Sequence, residues 1–200
     1  MTAKEIIDRV QAKFPQEVVE SNPEALDPYI KVQPGAWFQI CQFLKTDPDL
    51  EFDNLVCLTG VDYGPGKELG IIIHLYSFPK RHEIVLKTDL PRENPRLKSL
   101  ESLWRTADWH EREAFDLYGI VFEEHPDLRR ILCPDDWEGY PLRKDYQVQE
   151  FYHGIRVPYK EDWHDIQTLA QNPDRGHYVF RFEKELRVNG NGKPKTGTSS

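Results

Sequence analysis

No apolar run in this sequence approaches the ~20 residues that a helix needs to cross a bilayer. A membrane span of that kind is therefore excluded, and any work at a membrane has to go through other proteins. The start, Met1 to Phe14, lacks the apolar core of a signal peptide. It carries Glu5 and Asp8, which makes it a poor organelle transit sequence, so the chain is expected to stay where it is made. Basic charge is also short. Twenty-six Lys and Arg stand against 34 Asp and Glu, a net charge of −8. That balance argues against a general nucleic-acid binder and gives no pull toward anionic lipid. Cysteine is scarce: Cys41, Cys57 and Cys133, with no C-x-x-C pair. Three scattered thiols are too few for a structural zinc site or a common iron–sulfur cluster. They read as buried or reduced thiols in a cytosolic-type compartment. Gly64-x-Gly66 has no third glycine and no following helix, so it is a turn and not a dinucleotide loop. There is no internal repeat.

What is present suits a folded domain with an added segment. The chain has 200 residues, 38% apolar and 30% charged, long enough to bury a core without disulfides. Aromatics make up 12%, and there are 15 prolines. Thr2 with Glu5 forms a capping box, and Ile6, Ile7, Val10 and Phe14 recur at helical spacing until Pro15. Short strands are expected over 17–20 and 29–32, around the Asn22-Pro23 turn. Pro34 opens a second helix with Trp37, Phe38, Ile40, Cys41 and Leu44 on one face. Three longer strands follow, over 52–63, 69–77 and 82–88, joined by hairpin-length links that make them antiparallel neighbours. After Pro91 and Pro95, a short helix is expected over 96–103. Another runs over 109–118, capped by Asp108 with Glu111 completing the box and Gly119 stopping it.

The expected fold is α+β: N-terminal helices packed on a mostly antiparallel sheet, then a helix and a long irregular C-terminal arm. The division is a 1–118 domain, an irregular partner-binding arm over 119–187 and a disordered tail over 188–200. The arm lacks a period but is dense in aromatics, including Phe151, Tyr152, Tyr159, Trp163, Tyr178, Phe180 and Phe182. Aromatics and arginines on irregular chain are residue types that anchor interfaces.

The charged constellation lies around the helix over 109–118. Glu113 and Asp116 are three apart and share a face, and Arg112 is four before Asp116. Two adjacent carboxylates need a cation, which Arg112, Arg129 or Arg130 could supply. One reading is general acid–base chemistry, a hydrolase using Glu113 and Asp116. The other is an ion-pair network that pins the next segment or a partner. No nucleophile or phosphate loop accompanies the pair, which favours the network. His110-Glu111 would begin a zincin motif, but position 114 is alanine. His74 and His125 read as hydrogen-bonded structural residues. Trp137, Tyr140, Pro141, Leu142 and Tyr146, set among Arg143, Lys144 and Asp145, would be costly to leave wet.

These residues resemble a known family. Glu111 through Ile120, followed by His125 through Leu132, closely resembles the signature of the complex I 30-kDa subunit, the C-type subunit of bacteria. Asp136 through Tyr146 resembles the family's next block, so the likeness is strongest over about 104–146. The resemblance implies membership of the proton-translocating NADH:quinone oxidoreductase, as a subunit that binds no cofactor and carries no catalytic residue of its own. The complex's flavin (FMN), iron–sulfur clusters, NADH and quinone would belong to other subunits. It implies packing on the 49-kDa-type (D-type) subunit and near the terminal-cluster (B-type) subunit, with the extended region lying along them. The interface residues it points to are Glu111, Arg112, Glu113, Asp116, His125, Arg129, Arg130, Trp137, Arg143, Lys144 and Asp145. The expected place is the cytoplasmic side of a bacterial inner membrane, reached only through other subunits. The alternative is the equivalent subunit of a related membrane-bound hydrogenase or plastoquinone-type complex.

Overall fold

The computed structural model describes residues 1–157. Helix α1 (Ala3–Lys13) begins at the expected capping box: Glu5 N–H donates to Thr2 Oγ1 at 3.3 Å, and Thr2 N–H to Glu5 Oε2 at 2.8 Å. Strands β1 (Val18–Asn22) and β2 (Tyr29–Val32) follow. A 3-10 turn over Pro34–Ala36 then leads into α2 (Trp37–Thr46). Strands β3 (Asn54–Asp62), β4 (Leu69–Ser77) and β5 (His82–Leu90) form consecutive antiparallel hairpins. The five strands make one sheet in the order β1-β2-β5-β4-β3, in which only the β2–β5 pair is parallel. This mixed, mostly antiparallel sheet with helices is the α+β fold expected from the sequence.

Strand alternation decides where the core lies. Ile71, Ile73 and Leu75 of β4 are buried, while Ile72, His74 and Tyr76, which alternate with them, are only partly so. Ile6, Ile7 and Val10 of α1 and Trp37, Ile40, Cys41 and Leu44 of α2 join the buried strand residues in a single core. At roughly 25 cal/mol per Å² of apolar surface, such side chains stabilise the fold by ~1.5–3 kcal/mol each.

The chain after β5 differs from expectation. Residues 96–103 are not a helix. Arg96–Lys98 is a strand, β6, paired in parallel with β7 (Val121–Glu123), and turns follow it. Leu97 and Phe122 are buried in this two-stranded ladder. The tertiary pairing overrides the helical spacing, because the ladder with β7 supplies backbone hydrogen bonds in place of a helix's and also buries Leu97. Between them runs α3 (Ala107–Tyr118). Its N-cap is Thr106, with no side-chain cap bond, so Asp108 is not the cap and Glu111 does not close a box. Gly119 does end the helix, in the left-handed conformation at φ 71°.

Residues from Met1 to Gln147 form one compact unit. The stretch 119–147, expected as the beginning of a separate arm, is therefore built into the same body as the sheet. The second unit begins at Val148. Its described part holds a hairpin of β8 (Phe151–Tyr152) and β9 (Ile155–Arg156), which sequence rhythm did not announce. His153 and Gly154 both have positive φ, as a two-residue hairpin turn requires. The aromatics from Tyr159 onward and the tail over 188–200 lie outside the described residues.

Candidate functional site

The site is the junction where irregular chain over 124–147 fastens to α3 and the sheet. Helix α3 is buried along two sides. Its last turn meets β3, where the Tyr118 ring fills the space beside Gly60 so closely that a Cβ there would stand 2.5 Å from Cδ2. Before the helix, Trp104 Nε1 donates to Phe52 O at 3.0 Å, and Thr106 Oγ1 to Leu55 O at 3.2 Å.

Asp116 is the first anchor. Its side chain is completely buried, and Oδ2 accepts the backbone N–H groups of Ile131, Leu132 and Cys133 at 3.0, 2.7 and 2.8 Å. Arg130 Nη1 donates to Oδ1 at 2.7 Å. Burial alone would raise this carboxyl. The three N–H donors and Arg130 outweigh it and hold Asp116 below the usual range. Arg130 Nη2 also reaches the carbonyls of Trp137 and Gly139, both at 3.0 Å. One guanidinium thus ties the helix to two later turns. The Tyr140 ring lies against both Arg130 and Arg143, and Arg143 Nε donates to Tyr118 O at 2.7 Å. Trp137 Nε1 donates to Tyr146 Oη at 3.1 Å.

Asp62 is the second anchor, at the end of β3. Oδ1 accepts Gly64 N–H at 2.7 Å and Oδ2 accepts Lys144 N–H at 2.8 Å. Arg92 forms an ion pair with Asp62 and a two-pronged one with Asp145, at 3.1 and 3.0 Å. Burial raises Asp62, but these donors win and the carboxyl is again held low. Lys144 contributes here through its backbone.

The remaining expected residues divide. Arg112, nearly buried, donates from Nε to Arg129 O at 3.4 Å; Arg130, not Arg112, takes Asp116. Arg129 pairs on the surface with Asp127. Glu113 is exposed, so it and Asp116 face different surroundings and form no shared acid–base pocket. Glu111 is fully buried, accepting Leu100 N–H at 2.7 Å on Oε1 and the Ser99 hydroxyl at 2.6 Å on Oε2. Burial lifts its carboxyl to about 7, against these two hydrogen bonds. The His125 ring is buried beside it, with Nε2 3.9 Å from Glu111 Oε2 and 3.3 Å from Asp108 O. Among the described residues, no group of three or more His, Cys, Asp or Glu is placed to hold a metal, and no helix is long and apolar enough to cross a membrane.

Sequence reasoning missed Asp62, Arg92 and Ser99. Asp62 had a local signal, an Asx turn onto Gly64. Arg92 had none, because its carboxylate partners are 30 and 53 positions away.

The sequence pattern described as the respiratory-chain NADH dehydrogenase 30-kDa subunit matches residues 30–152, which include both anchors. The chain belongs to this family. Its relatives include the C-type subunit of NADH-quinone oxidoreductase from Chloroherpeton thalassium, 51% identical over 152 residues. That match covers 75% of this chain but 63% of the relative, so the chain spans under two thirds of that protein's length. The corresponding C-type subunit of Chlorobium phaeobacteroides is 46% identical over 154 residues, covering 76% of this chain and 93% of that one. Among solved structures, a trypsin-resistant fragment of Nqo5 is 26% identical with a TM-score of 0.54, covering 64% of this chain and all of the fragment. An archaeal membrane-bound sulfane sulfur reductase chain aligns with a TM-score of 0.62 over 74% of this chain and 87% of its own. At 22% identity that likeness bears on the fold alone.

Proposed function

We propose that this chain is a non-catalytic, cofactor-free peripheral-arm subunit of a proton-translocating NADH:quinone oxidoreductase. It supports electron transfer from NADH to quinone by holding the cluster-bearing and quinone-site subunits together. In this reading it packs on the 49-kDa-type subunit and on the terminal-cluster subunit. It lies on the cytoplasmic side of a bacterial inner membrane and touches that membrane only through other subunits. The supporting names are those of its NADH-quinone oxidoreductase relatives.

One observation carries the reading. Irregular chain is bolted to α3 and β3 by two carboxylates, while its apolar side chains Leu132 and Leu142 point outward. Trp109 on α3 is likewise 67% exposed. A segment fixed through its backbone and bare on its outer side is a preorganised docking surface, which lowers the entropy cost of binding.

The test is a cell carrying a tagged chain with Leu132→Asp and Leu142→Asp, with Glu113→Ala as a separate variant. The expected outcome is less assembled complex on blue-native gels, an unfolding curve of the isolated chain unchanged, and normal quinone reduction per assembled complex. Normal assembly with quinone reduction abolished would replace this reading with a catalytic one. Unchanged assembly by every variant would remove the docking surface. The purified chain should be colourless and free of stoichiometric iron.

A further inference from the structure

Neither anchor uses Glu111, a carboxylate shut inside the fold. We propose that Glu111 holds a buried proton at neutral pH, and that losing it loosens α3 from the β6–β7 ladder, making this junction a pH-sensitive latch.

The geometry supplies the case. Leu100 N–H and the Ser99 hydroxyl, which contact Glu111 directly, are both neutral donors. The acidic groups around it add no positive charge. Asp108 comes from its own helix, Glu101 from the turn after β6 and Cys41 from α2. Among the described residues, His125, from the turn after β7, is the basic group that approaches it. Its Nδ1 accepts the Asp127 N–H at 3.0 Å, which places the ring proton on Nε2, facing Asp108 O. This tautomer is assigned from hydrogen-bond geometry. With both direct partners neutral and the side chain fully enclosed, a proton on Glu111 itself is what removes the cost of a buried charge there.

Ser99 makes the site tolerant of either state. Its Oγ accepts Glu101 N–H at 3.1 Å and lies 2.6 Å from Glu111 Oε2. A hydroxyl can donate to a carboxylate or accept from a carboxyl, so this contact survives proton loss with its direction reversed. The unpaired charge does not fit as well. It arises beside a ladder of three residues per strand, extended by Ser99 N–H donating to Glu123 O at 2.9 Å. Water has to enter there to solvate it. Burial pushes Glu111 to about 7 from an ordinary 4.5, which places the transition near neutrality. The inference rests on the fold and holds for whichever complex the chain serves.

The sign follows from the direction of the shift. The folded state binds this proton more tightly than the unfolded state. Its stabilisation is complete below 4.5 and is lost as pH rises toward about 7. Across that window one such proton changes the unfolding equilibrium by up to about tenfold per pH unit.

The experiment follows glutamate side-chain carboxyls of the full chain by carbon NMR through a pH titration, with amide exchange at Leu97, Leu100 and Phe122. One carboxyl should titrate near neutrality and vanish in Glu111→Gln, and exchange at the three amides, corrected for its intrinsic base catalysis, should quicken as pH rises from 4.5 toward that midpoint and level off above it. Glu111→Gln should also remove the loss of stability that Glu111 contributes between 4.5 and about 7, leaving the contribution of His82, which burial lowers from 6.5. Ser99→Ala removes a partner from both forms, but the charge-assisted bond to the ionised form is the stronger, so the midpoint should rise; this variant keeps the test alive if Glu111→Gln fails to fold. A Glu111 midpoint near 4.5, or exchange at Leu97 and Phe122 that ignores the transition, overturns the proposal.

Discussion

Asp116 and Arg130 stand 2.7 Å apart across 14 positions of chain, and the backbone just beyond Arg130 closes onto the same carboxylate. Removing one partner of such a buried pair leaves the other uncompensated, at a cost of ~3–5 kcal/mol. Asp116→Ala should therefore lower the urea midpoint sharply. It should also expose Arg129, Arg130 and Arg143 to trypsin well before the sheet unfolds. Cleavage no faster than in the parent chain would mean that Asp116 does not hold the segment.

Arg92 should couple unequally to its two carboxylates. Asp62 is buried, whereas the Asp145 side chain is 44% exposed. A double-mutant cycle should give ~1 kcal/mol or less for Arg92 with Asp145 and several times that for Arg92 with Asp62. Arg92→Lys loses the fork that serves both at once, and should fall nearer to Arg92→Ala than to the parent.

Acid should release this junction. Asp62 and Asp116 are both held below their ordinary value of 3.8. Carboxyls depressed in the folded state stabilise it above that value, and the contribution is lost as pH falls through their folded values. Unfolding curves taken below pH 3.8 should show a steep loss of stability, and Asp116→Asn should flatten it. The Glu111 contribution runs in the opposite sense, weakening as pH rises from 4.5 toward about 7.

Gly119→Ala should fail for two separable reasons. The left-handed backbone costs a residue with a Cβ ~1–2 kcal/mol. The new carbon would also stand 2.4 Å from Tyr140 Cε2. Adding Tyr140→Ala should recover the second part and leave the first. Denaturant midpoints of the two single variants and the double would separate them.

Local physics was legible in the sequence. The Thr2–Glu5 box, the Gly119 stop and the strand Leu69–Ser77 each depend on neighbours a few residues away. The 96–103 region was not legible. Three residues form β6 because Val121, Phe122 and Glu123 lie beside them, and no local period records a pairing between such distant segments. Asp108 illustrates the same limit: it has a capping residue's chemistry, but the helix had already begun at Ala107. At the site, charge alone left Arg112, Arg129 and Arg130 equivalent. The path of chain after His125 chose Arg130 for Asp116 and turned Arg129 toward Asp127. Glu111 read from the sequence as the closing residue of a capping box; its enclosure beside Ser99 and Leu100 depends on chain folded back from before the helix.

The Asp116 anchor is read by peptide groups more than by side chains, and this leaves room for divergence. Whatever occupies positions 131–133 still offers its main-chain N–H to the carboxylate, proline excepted. The outward residue at 132 can therefore drift to suit a changing neighbour while the tether stays as it is, so that docking specificity and attachment evolve separately in one short loop.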